Sequence, residues 1–274
     1  VEGALRLSYA TLGTFMKYPK ESLPKKPTSN ISDKKYGFFQ QDKQFFQEVA
    51  SELGMISNKS NPDVGYFRHP LAFLVEAADD ICYTIIDFED GIKLGLINED
   101  FALEYLIKLV QKSIDSKKYN ELQTKEDRIS YLRALAIGSL INDAVSVFME
   151  NETAILKGEF SVSLMDKSQY KAQISDIINI SVKNIYQSKE VIEKEIIGYK
   201  VIHTLLDVFI QAYIQTSTNS GTNFDKLIMN ILPEKYKGNK VTMYDKLLNI
   251  CQFVSLLTDG KAIEIYKIIN ATKI

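Results

Sequence analysis

The sequence predicts an all-α protein, and three observations support that prediction. Apolar residues recur three and four positions apart along most of the chain, which gives an α-helix one apolar face. No segment sustains the strict alternation of apolar and polar residues that is typical of a half-buried strand. The 274 residues include only six prolines, so the helical segments have few interruptions.

Capping residues and helix breakers predict the boundaries of each element. The first helix is predicted over Leu5–Tyr18, before Pro19 and a loop rich in Lys, Pro and Ser. The third is predicted over His69–Leu94, with proline in its first turn and Gly95 after its end. A second helix is predicted over Gln41–Leu53, a fourth begins after an Asn98 cap, and a fifth runs from a capping box at Thr124 to Met149. Tyr170–Ile214 is predicted to form two helices, or one helix broken near Ser188. The remaining predicted helices are a short one that ends at Pro233, one over Met243–Leu257 and one over Lys261–Ile269.

Composition and charge limit the classes of function. The chain is 45% hydrophobic and 25% charged, values typical of a folded protein with a sizeable core. Its net charge of −2 does not indicate nucleic acid or a membrane surface as a partner. The apolar stretches carry charges within about 18 residues, so no membrane span is predicted. We expect one helical domain over residues 1–274, without an internal boundary.

The two cysteines and the start of the chain carry two further expectations. Cys82 and Cys251 lie far apart, and Cys82 falls within a predicted helix, so no disulfide framework is expected. That usage fits a reducing compartment, and a cytoplasmic location is expected. The chain opens with VEGALRLSYATLG, without an initiator methionine or a signal peptide, and we interpret it as a fragment.

The third predicted helix concentrates carboxylates on one face. With Asp79 as the reference, Tyr83 lies at about 40° and Asp87 at about 80° around the helix. Like charges three or four positions apart cost about 0.2–0.5 kcal/mol per pair, so a cation should face this arc. That cation is either a metal ion or Arg and Lys side chains from other segments, and a merely solvated face also remains open. The arc also contains Glu76, Asp80 and Asp90.

The opposite side of this helix is apolar, from about 180° to 340°, with Glu89 as its one polar residue. The chain lacks the side chains for a complete metal site, because a catalytic ion needs three or more protein ligands. His69 lies about 15 Å along the helix from Asp79, too far to share its ion. His203 lies among apolar residues, which is typical of a core or hydrogen-bonded histidine.

Three segments resemble one enzyme family, in the order in which that family carries them. They are ATLGTFMKYP, FRHPLAFLVEAADDICYTIIDFEDGIKLGLI and FVSLLTDGKAIEIY. The chain resembles the C-terminal half or more of the bacterial deoxyguanosinetriphosphate triphosphohydrolases, in the HD-domain superfamily. The resemblance implies a multi-helical HD-domain-like bundle that is incomplete in this chain.

The resemblance assigns roles to individual residues. In the family two histidines, the aspartate of a His-Asp pair and a second, downstream aspartate hold a divalent ion, which can be Mg, Mn, Fe, Co or Zn. Asp79 matches the downstream ligand, and the other three lie upstream of this chain. Tyr83 and Asp87 match sugar-contacting positions. Lys17 and Tyr18 resemble residues that contact the substrate near its phosphates and sugar.

The implied reaction is hydrolysis of a deoxynucleoside triphosphate to the deoxynucleoside and tripolyphosphate, with dGTP favoured by the resemblance. A divalent ion supplies an activated water and polarises a phosphoryl oxygen. Asp87 would accept a hydrogen bond from the 3′-hydroxyl, and Tyr83 would leave no room for a 2′-hydroxyl. Arg128 and Arg133, with Lys17, are the candidate cations for the triphosphate. Asp80 is assigned a structural or supporting role, and Arg68 and His69 either tether the loop before the helix or reach the site.

Two other functions remain open. One is a non-catalytic helical module for nucleotide binding or oligomerisation, and the other is a helical scaffold with an acidic partner face. The family resemblance also implies a homo-oligomer without indicating its size.

Overall fold

The computed structural model describes residues 5–23, 28, 30–58, 64–237 and 242–271. Within these ranges it has thirteen α-helices, and the extended segments form only isolated bridges, so the predicted all-α fold is confirmed. The chain packs as two compact units, Val1–Ser188 and Lys189–Ile274. Packing into two units does not test whether they fold as one domain, so the single domain stays a prediction.

The helices of the first unit are α1 (Tyr9–Phe15), α2 (Lys43–Glu52), α3 (Pro70–Lys93), α4 (Glu99–Val110), α5 (Ser116–Glu121), α6 (Lys125–Glu150), α7 (Glu152–Leu156) and α8 (Lys171–Ser181). A π-helical turn, Val182–Tyr186, continues α8 directly. The second unit contains α9 (Lys189–Ser217), α10 (Asn223–Ile231), α11 (Glu234–Lys237), α12 (Met243–Ser255) and α13 (Asp259–Ile269).

Side-chain caps set several of these boundaries. The side chains of Asn98 and Thr124 accept the third backbone N–H of their helices at 3.1 and 3.0 Å, as predicted. The first helix begins later than predicted, because the Ser8 side chain accepts the backbone N–H of Thr11 at 3.2 Å and caps the helix at Tyr9. The predicted break near Ser188 is confirmed, since α9 begins one residue later.

Helix α3 is the central element of the first unit. It packs against α1, α6 and α8, and its buried apolar side chains include Phe73, Ile81, Ile85 and Phe88. Burying each such side chain contributes about 1.5–3 kcal/mol to folding. The buried side of α3 is therefore fixed in the core, and this fixes the direction of its acidic face.

Helix α6 is long and apolar enough to cross a bilayer, judged by length and composition alone, with a mean hydropathy of 1.4 over its most apolar window. Core helices meet the same criterion, and α6 contributes Leu132, Ala136 and Leu140 to the core shared with α3 and α4. The expected absence of a membrane span stays a prediction.

The second unit is organised around α9. Val201, Leu205 and Phe209 of α9 are buried, and helices α10, α12 and α13 pack against α9. The ring of Phe209 meets that of Phe253 edge to face, with centroids 5.3 Å apart. His203 lies exposed on α9, so the first of its two expected roles, a core histidine, is wrong, and the second, a hydrogen-bonded histidine, stays a prediction.

A glycine on α3 lets the π-helical turn approach that helix closely. A Cβ atom at Gly91 would lie 2.5 Å from Cδ1 and 2.9 Å from Cγ1 of Ile185, and 3.0 Å from Cδ1 of Ile97. These separations are shorter than van der Waals contact, so a larger residue would displace the turn. Gly138 on α6 has nothing within 4 Å of the equivalent position.

We expect Gly91→Ala and Gly138→Ala to change stability in opposite directions. Gly91→Ala should lower the free energy of unfolding by about 1–2 kcal/mol, because the added methyl group overpacks the contact with Ile185. Gly138→Ala should raise it by about 0.5–1 kcal/mol through helix propensity. Denaturant unfolding of both variants checks the prediction, and a stabilised Gly91→Ala protein would contradict the close approach.

Candidate functional site

Three side chains of α3 face outward along one line, as the helix phase predicts. Asp79 is exposed, and among the described residues no hydrogen bond or ion pair engages its carboxylate. Tyr83 follows one turn later and is 56% exposed. Asp87 follows after another turn and is half-buried. One bound molecule is therefore able to contact all three residues.

Tyr186, from the π-helical turn, holds two of these residues. Its hydroxyl donates to Oδ2 of Asp87 at 2.7 Å, and its ring stacks on Tyr83 with centroids 5.8 Å apart and planes 24° apart. Burial and the neighbouring Tyr83 and Asp87 raise the pKa of Tyr186 well above its ordinary value. Tyr186 is therefore a fixed proton donor, which leaves the other oxygen of Asp87 free to accept a hydrogen bond.

Glu76, which the helix phase placed in the acidic arc, is buried and ion-paired. The guanidinium of Arg68 binds its carboxylate with both terminal nitrogens, and Nζ of Lys17 lies 3.1 Å from Oε1. The expectation that cations from other segments face the arc is confirmed at this position. Partial burial alone would lower the pKa of Lys17, but the ion pair with Glu76 outweighs it and holds that pKa above its ordinary value.

Lys17 and Tyr18 lie beside α3 through these contacts. The guanidinium of Arg68 lies 5.4 Å from the ring centroid of Tyr18, and its Nε donates to the backbone carbonyl of Lys17 at 2.7 Å. The predicted substrate-contacting segment is thus brought to the same helix as Asp79. Arg68 is the residue that tethers it, one of the two roles considered for it from the sequence.

Asp80 faces away from Asp79, toward a cavity of about 300 Å³. Burial raises the pKa of Asp80, Glu76 and Asp79 raise it further, and Lys17 offsets part of the increase. The Oγ atom of Ser181, in the cavity wall, is buried without a hydrogen-bond partner among the described residues. The other polar side chains of the wall include Tyr83, Thr84, Lys171, Ser175 and Tyr186.

The two candidate arginines have partners within the first unit. Nη1 of Arg133 donates to both oxygens of Glu89, at 2.8 and 2.7 Å, and Nζ of Lys93 lies 3.0 Å from the same carboxylate. Arg128 donates to the carbonyl of Leu122 at 3.3 Å, and its guanidinium lies 5.6 Å from the ring centroid of Tyr119. Neither arginine contacts Asp79 or Tyr83, and their role in triphosphate binding stays a prediction.

Only half of the apolar arc of α3 is buried. The exposed half lies beside Asp79, between about 20° and 100° on the side away from Tyr83. Leu71 and Val75 are each 45% exposed and Ile86 is 41% exposed. We call this surface the α3 stripe, which consists of Leu71, Val75, Ala78, Cys82 and Ile86.

Asp79 is the candidate metal ligand on α3, and the described residues do not form a metal site around it. Among the parts of the chain that the structure describes, no group of three or more His, Cys, Asp or Glu side chains is arranged to hold an ion. Asp79 fits the part of a single anionic ligand, because its carboxylate is exposed and unpaired within those residues. His69 caps α3 instead, with Nδ1 accepting the backbone N–H of Leu71 at 3.3 Å.

Sequence reasoning missed Tyr186 and the partner of Glu89. Tyr186 is 99 residues from Asp87, and no periodicity links the two segments. Glu89 did carry a signal, because a carboxylate in an apolar arc requires a cation. That signal alone does not identify Arg133, which is 44 residues away.

The fold and this site define an all-α, HD-like helical bundle, and its central helix presents an aspartate that is unpaired among the described residues. Its relatives include a deoxyguanosinetriphosphate triphosphohydrolase-like protein of Synechocystis sp., 33% identical over 271 residues, and one of Listeria monocytogenes, 32% identical over 290. Each match covers 97% of this chain and 60% of the relative, so the chain spans about 60% of their length.

A deoxyguanosinetriphosphate triphosphohydrolase of Yersinia pestis is 29% identical over 225 residues, which cover 75% of this chain and 43% of that protein. No family model matches the chain. The matches to the Synechocystis and Listeria proteins extend over nearly the whole chain, and they support its membership of the deoxyguanosinetriphosphate triphosphohydrolase family as a part of the length of these relatives.

We expect Arg133→Leu to destabilise the protein in a pH-dependent way. Burial alone would raise the pKa of Glu89, but hydrogen bonds from Arg133 and Lys93 outweigh it and hold that pKa below its ordinary value. The pair therefore stabilises the fold above the unfolded-state pKa, and this stabilisation is lost as the pH falls through the lower, folded-state pKa. Near pH 7 the variant should lose about 1–3 kcal/mol, because a buried carboxylate loses its main partner.

Denaturant unfolding near neutral pH and at about pH 3 measures this effect. Lys93→Met is the matched control, since Lys93 is 58% exposed and should contribute at most about 1 kcal/mol. A loss for Arg133→Leu that is the same at both pH values would contradict the assignment to Glu89.

Proposed function

We propose that this chain is the part of a deoxynucleoside triphosphate triphosphohydrolase that binds the nucleotide sugar and one side of a divalent ion. The observation that carries the proposal is the line of Asp79, Tyr83 and Asp87 on α3. The relatives' names support the reaction class, and dGTP is the first substrate to test. A cytoplasmic homo-oligomer is part of the same proposal.

The sugar site is proposed around Tyr83 and Asp87. The stack with Tyr186 covers one side of the Tyr83 ring, and Tyr83 still keeps more than half of its surface exposed. A deoxyribose packed on the exposed surface would bring its 3′-hydroxyl toward the oxygen of Asp87 that Tyr186 does not use. A ribose would need room for a further hydroxyl against the same ring.

The ion is proposed to lie at Asp79. When bound, a divalent ion supplies an activated water and a polarised phosphoryl oxygen. Asp79 would orient that ion from α3, and its charge is available because it has no cationic partner among the described residues, whereas the neighbouring Glu76 is already neutralised by Arg68. The remaining ligands are proposed to come from residues outside these 274.

The α3 stripe is proposed to receive the segment that brings those ligands. Exposed apolar side chains of this size are commonly covered by another surface. The stripe lies directly beside Asp79 around the helix, so a segment packed there would have side chains within reach of the ion. The relatives are longer than this chain, which supports a segment of the same protein as the covering surface.

Lys17 is the best-placed cation for the phosphates. Its ammonium lies beside Glu76 and close enough to lower the pKa of Asp80, next to the proposed ion. A triphosphate carries several charges and requires more than one cation, so Arg128 and Arg133 remain in the proposal. Each would have to exchange its present partner for a phosphate oxygen.

A second candidate is a nucleotide-binding module without chemistry. The observation in its favour is the lack of a three-ligand group among the described residues. Both candidates predict that a deoxynucleotide binds at Tyr83. Only the hydrolase predicts that products form.

We expect the full-length protein to convert dGTP to deoxyguanosine and tripolyphosphate in the presence of Mn²⁺. Product analysis by chromatography after incubation with each dNTP tests this, and mono- or diphosphate products would refute the reaction class.

Asp79→Asn should reduce the rate at least about 100-fold, because the ion loses an anionic ligand. Deoxynucleotide binding without any product would favour the non-catalytic module.

Thiol labelling tests the covering of the α3 stripe. Both cysteines are exposed in the 274-residue chain, and Cys82 lies on the stripe whereas Cys251 lies on α12. In the full-length protein we expect Cys82 to react with a maleimide at least about tenfold more slowly than in the 274-residue chain, because opening a covered site must precede the reaction. Cys251 is the internal control, and equal reactivity of Cys82 in both proteins would contradict a covered stripe.

A further inference from the structure

The guanidinium of Arg68 is completely buried at the end of the loop that precedes α3. Its two terminal nitrogens bind the carboxylate of Glu76, which is 6% exposed. Its Nε donates to the carbonyl of Lys17 at 2.7 Å, and its Cζ lies over the ring of Tyr18, 5.4 Å from the centroid. One side chain thus contacts α3, the backbone of Lys17 and the ring of Tyr18.

This arrangement uses properties that only arginine has. The planar guanidinium donates to a carboxylate with two parallel N–H groups while a third N–H points elsewhere, and its face stacks on an aromatic ring. A lysine would keep the charge beside Glu76 but would lack the fork and the stacking surface. The segment 17–18 has no regular secondary structure of its own, so the contact with Arg68 joins it to α3.

Arg68 also determines how much of the charge of Lys17 is available. Lys17 and Arg68 share the carboxylate of Glu76, with Nζ of Lys17 3.1 Å and Nη2 of Arg68 3.2 Å from Oε1. Because Arg68 already neutralises Glu76, Lys17 retains attraction for another anion. Without the guanidinium, the buried carboxylate would have Lys17 as its main cation and would hold it more tightly.

We infer that Arg68 is a positioning residue that fixes Lys17 and Tyr18 beside Glu76 on α3, one turn before Asp79, and keeps the ammonium of Lys17 available to an anionic substrate. The inference rests on the proposed function for the identity of that substrate, a deoxynucleoside triphosphate. Arg68 itself is buried and touches no substrate. Its effect on binding passes through Lys17.

The structural half of the inference is tested by limited trypsin digestion of the 274-residue chain and needs no activity. The Lys17–Tyr18 bond should be cut at least about tenfold faster in Arg68→Lys than in the parent, because the carbonyl of Lys17 loses its buried donor. The Lys112–Ser113 bond, in the same unit, is the internal reference, and its cleavage rate should not change. Equal rates at Lys17 in both proteins would overturn the tether.

The functional half is tested by steady-state kinetics of the full-length protein with dGTP and Mn²⁺. Arg68→Lys should raise KM about tenfold and change kcat less than about threefold. The reason is that Lys17 would bind the phosphates equally in the ground state and in the transition state, so weakening this contact weakens substrate binding without slowing the chemical step. Lys125→Met, which removes the ion pairs of a half-exposed lysine with Glu99 and Asp100 on α4, should leave both constants unchanged.

A double-mutant cycle separates positioning from general destabilisation. In a Lys17→Met background, Arg68→Lys should no longer raise KM, because the group through which it acts is absent. An undiminished rise in that background would overturn the inference, as would a fall in kcat without a change in KM. Full-length protein without any triphosphohydrolase activity would refute the proposed function and leave the trypsin result to decide the tether.

If Arg68→Lys does not fold, Glu76→Gln serves in its place. This change keeps the shape of the side chain but removes the charge that anchors the guanidinium fork. Faster cleavage at Lys17, relative to Lys112, is again expected. A folded Glu76→Gln protein with the parent cleavage rate would count against the tether.

Discussion

Two buried carboxylates on α3, Glu76 and Glu89, are the constraint on which the rest of the first unit depends. A buried carboxylate is stable only with cationic partners, so each requires a basic side chain from another part of the chain. Glu76 holds Arg68 and Lys17, whereas Glu89 holds Arg133 and Lys93. The central helix is thereby joined near one end to the loop segments and near the other to α6.

The carboxylates in the middle of α3 have no basic partner of this kind among the described residues, and the candidate site lies there. Asp79 has no cation among the described residues, and Asp87 is held by a neutral phenol rather than by a base. The phenol of Tyr186 fixes the geometry of Asp87 without cancelling its charge. The carboxylates that stabilise the fold and those that we propose for binding are therefore different residues of one helix, although the sequence presents them as one acidic cluster.

Sequence reasoning reached the parts of this arrangement that depend on local rules. The periodicity of α3 and the caps at Asn98 and Thr124 follow from neighbouring residues, and their predictions agree with the structure. The pairing of Arg133 with Glu89 and of Tyr186 with Asp87 depends on contacts 44 and 99 residues apart, which no local pattern encodes. The α3 stripe could not be separated from the buried face, because both have the same apolar period.

The neighbouring aspartates Asp79 and Asp80 at the centre of the site differ in environment, and this difference determines which of them keeps an uncompensated negative charge. Asp80 turns toward the cavity, where burial raises its pKa, and Lys17 lies close enough to offset part of that effect. Around the start of the acidic face, Glu76, Asp79 and Asp80 face two cations, Arg68 and Lys17. One carboxylate is in excess, and it is Asp79, because Glu76 is ion-paired with both cations and both also lower the pKa of Asp80, whereas Asp79 has no cationic partner among the described residues. An exposed aspartate with an uncompensated charge beside an apolar stripe is the arrangement expected of one ligand in a cation site that a second surface completes.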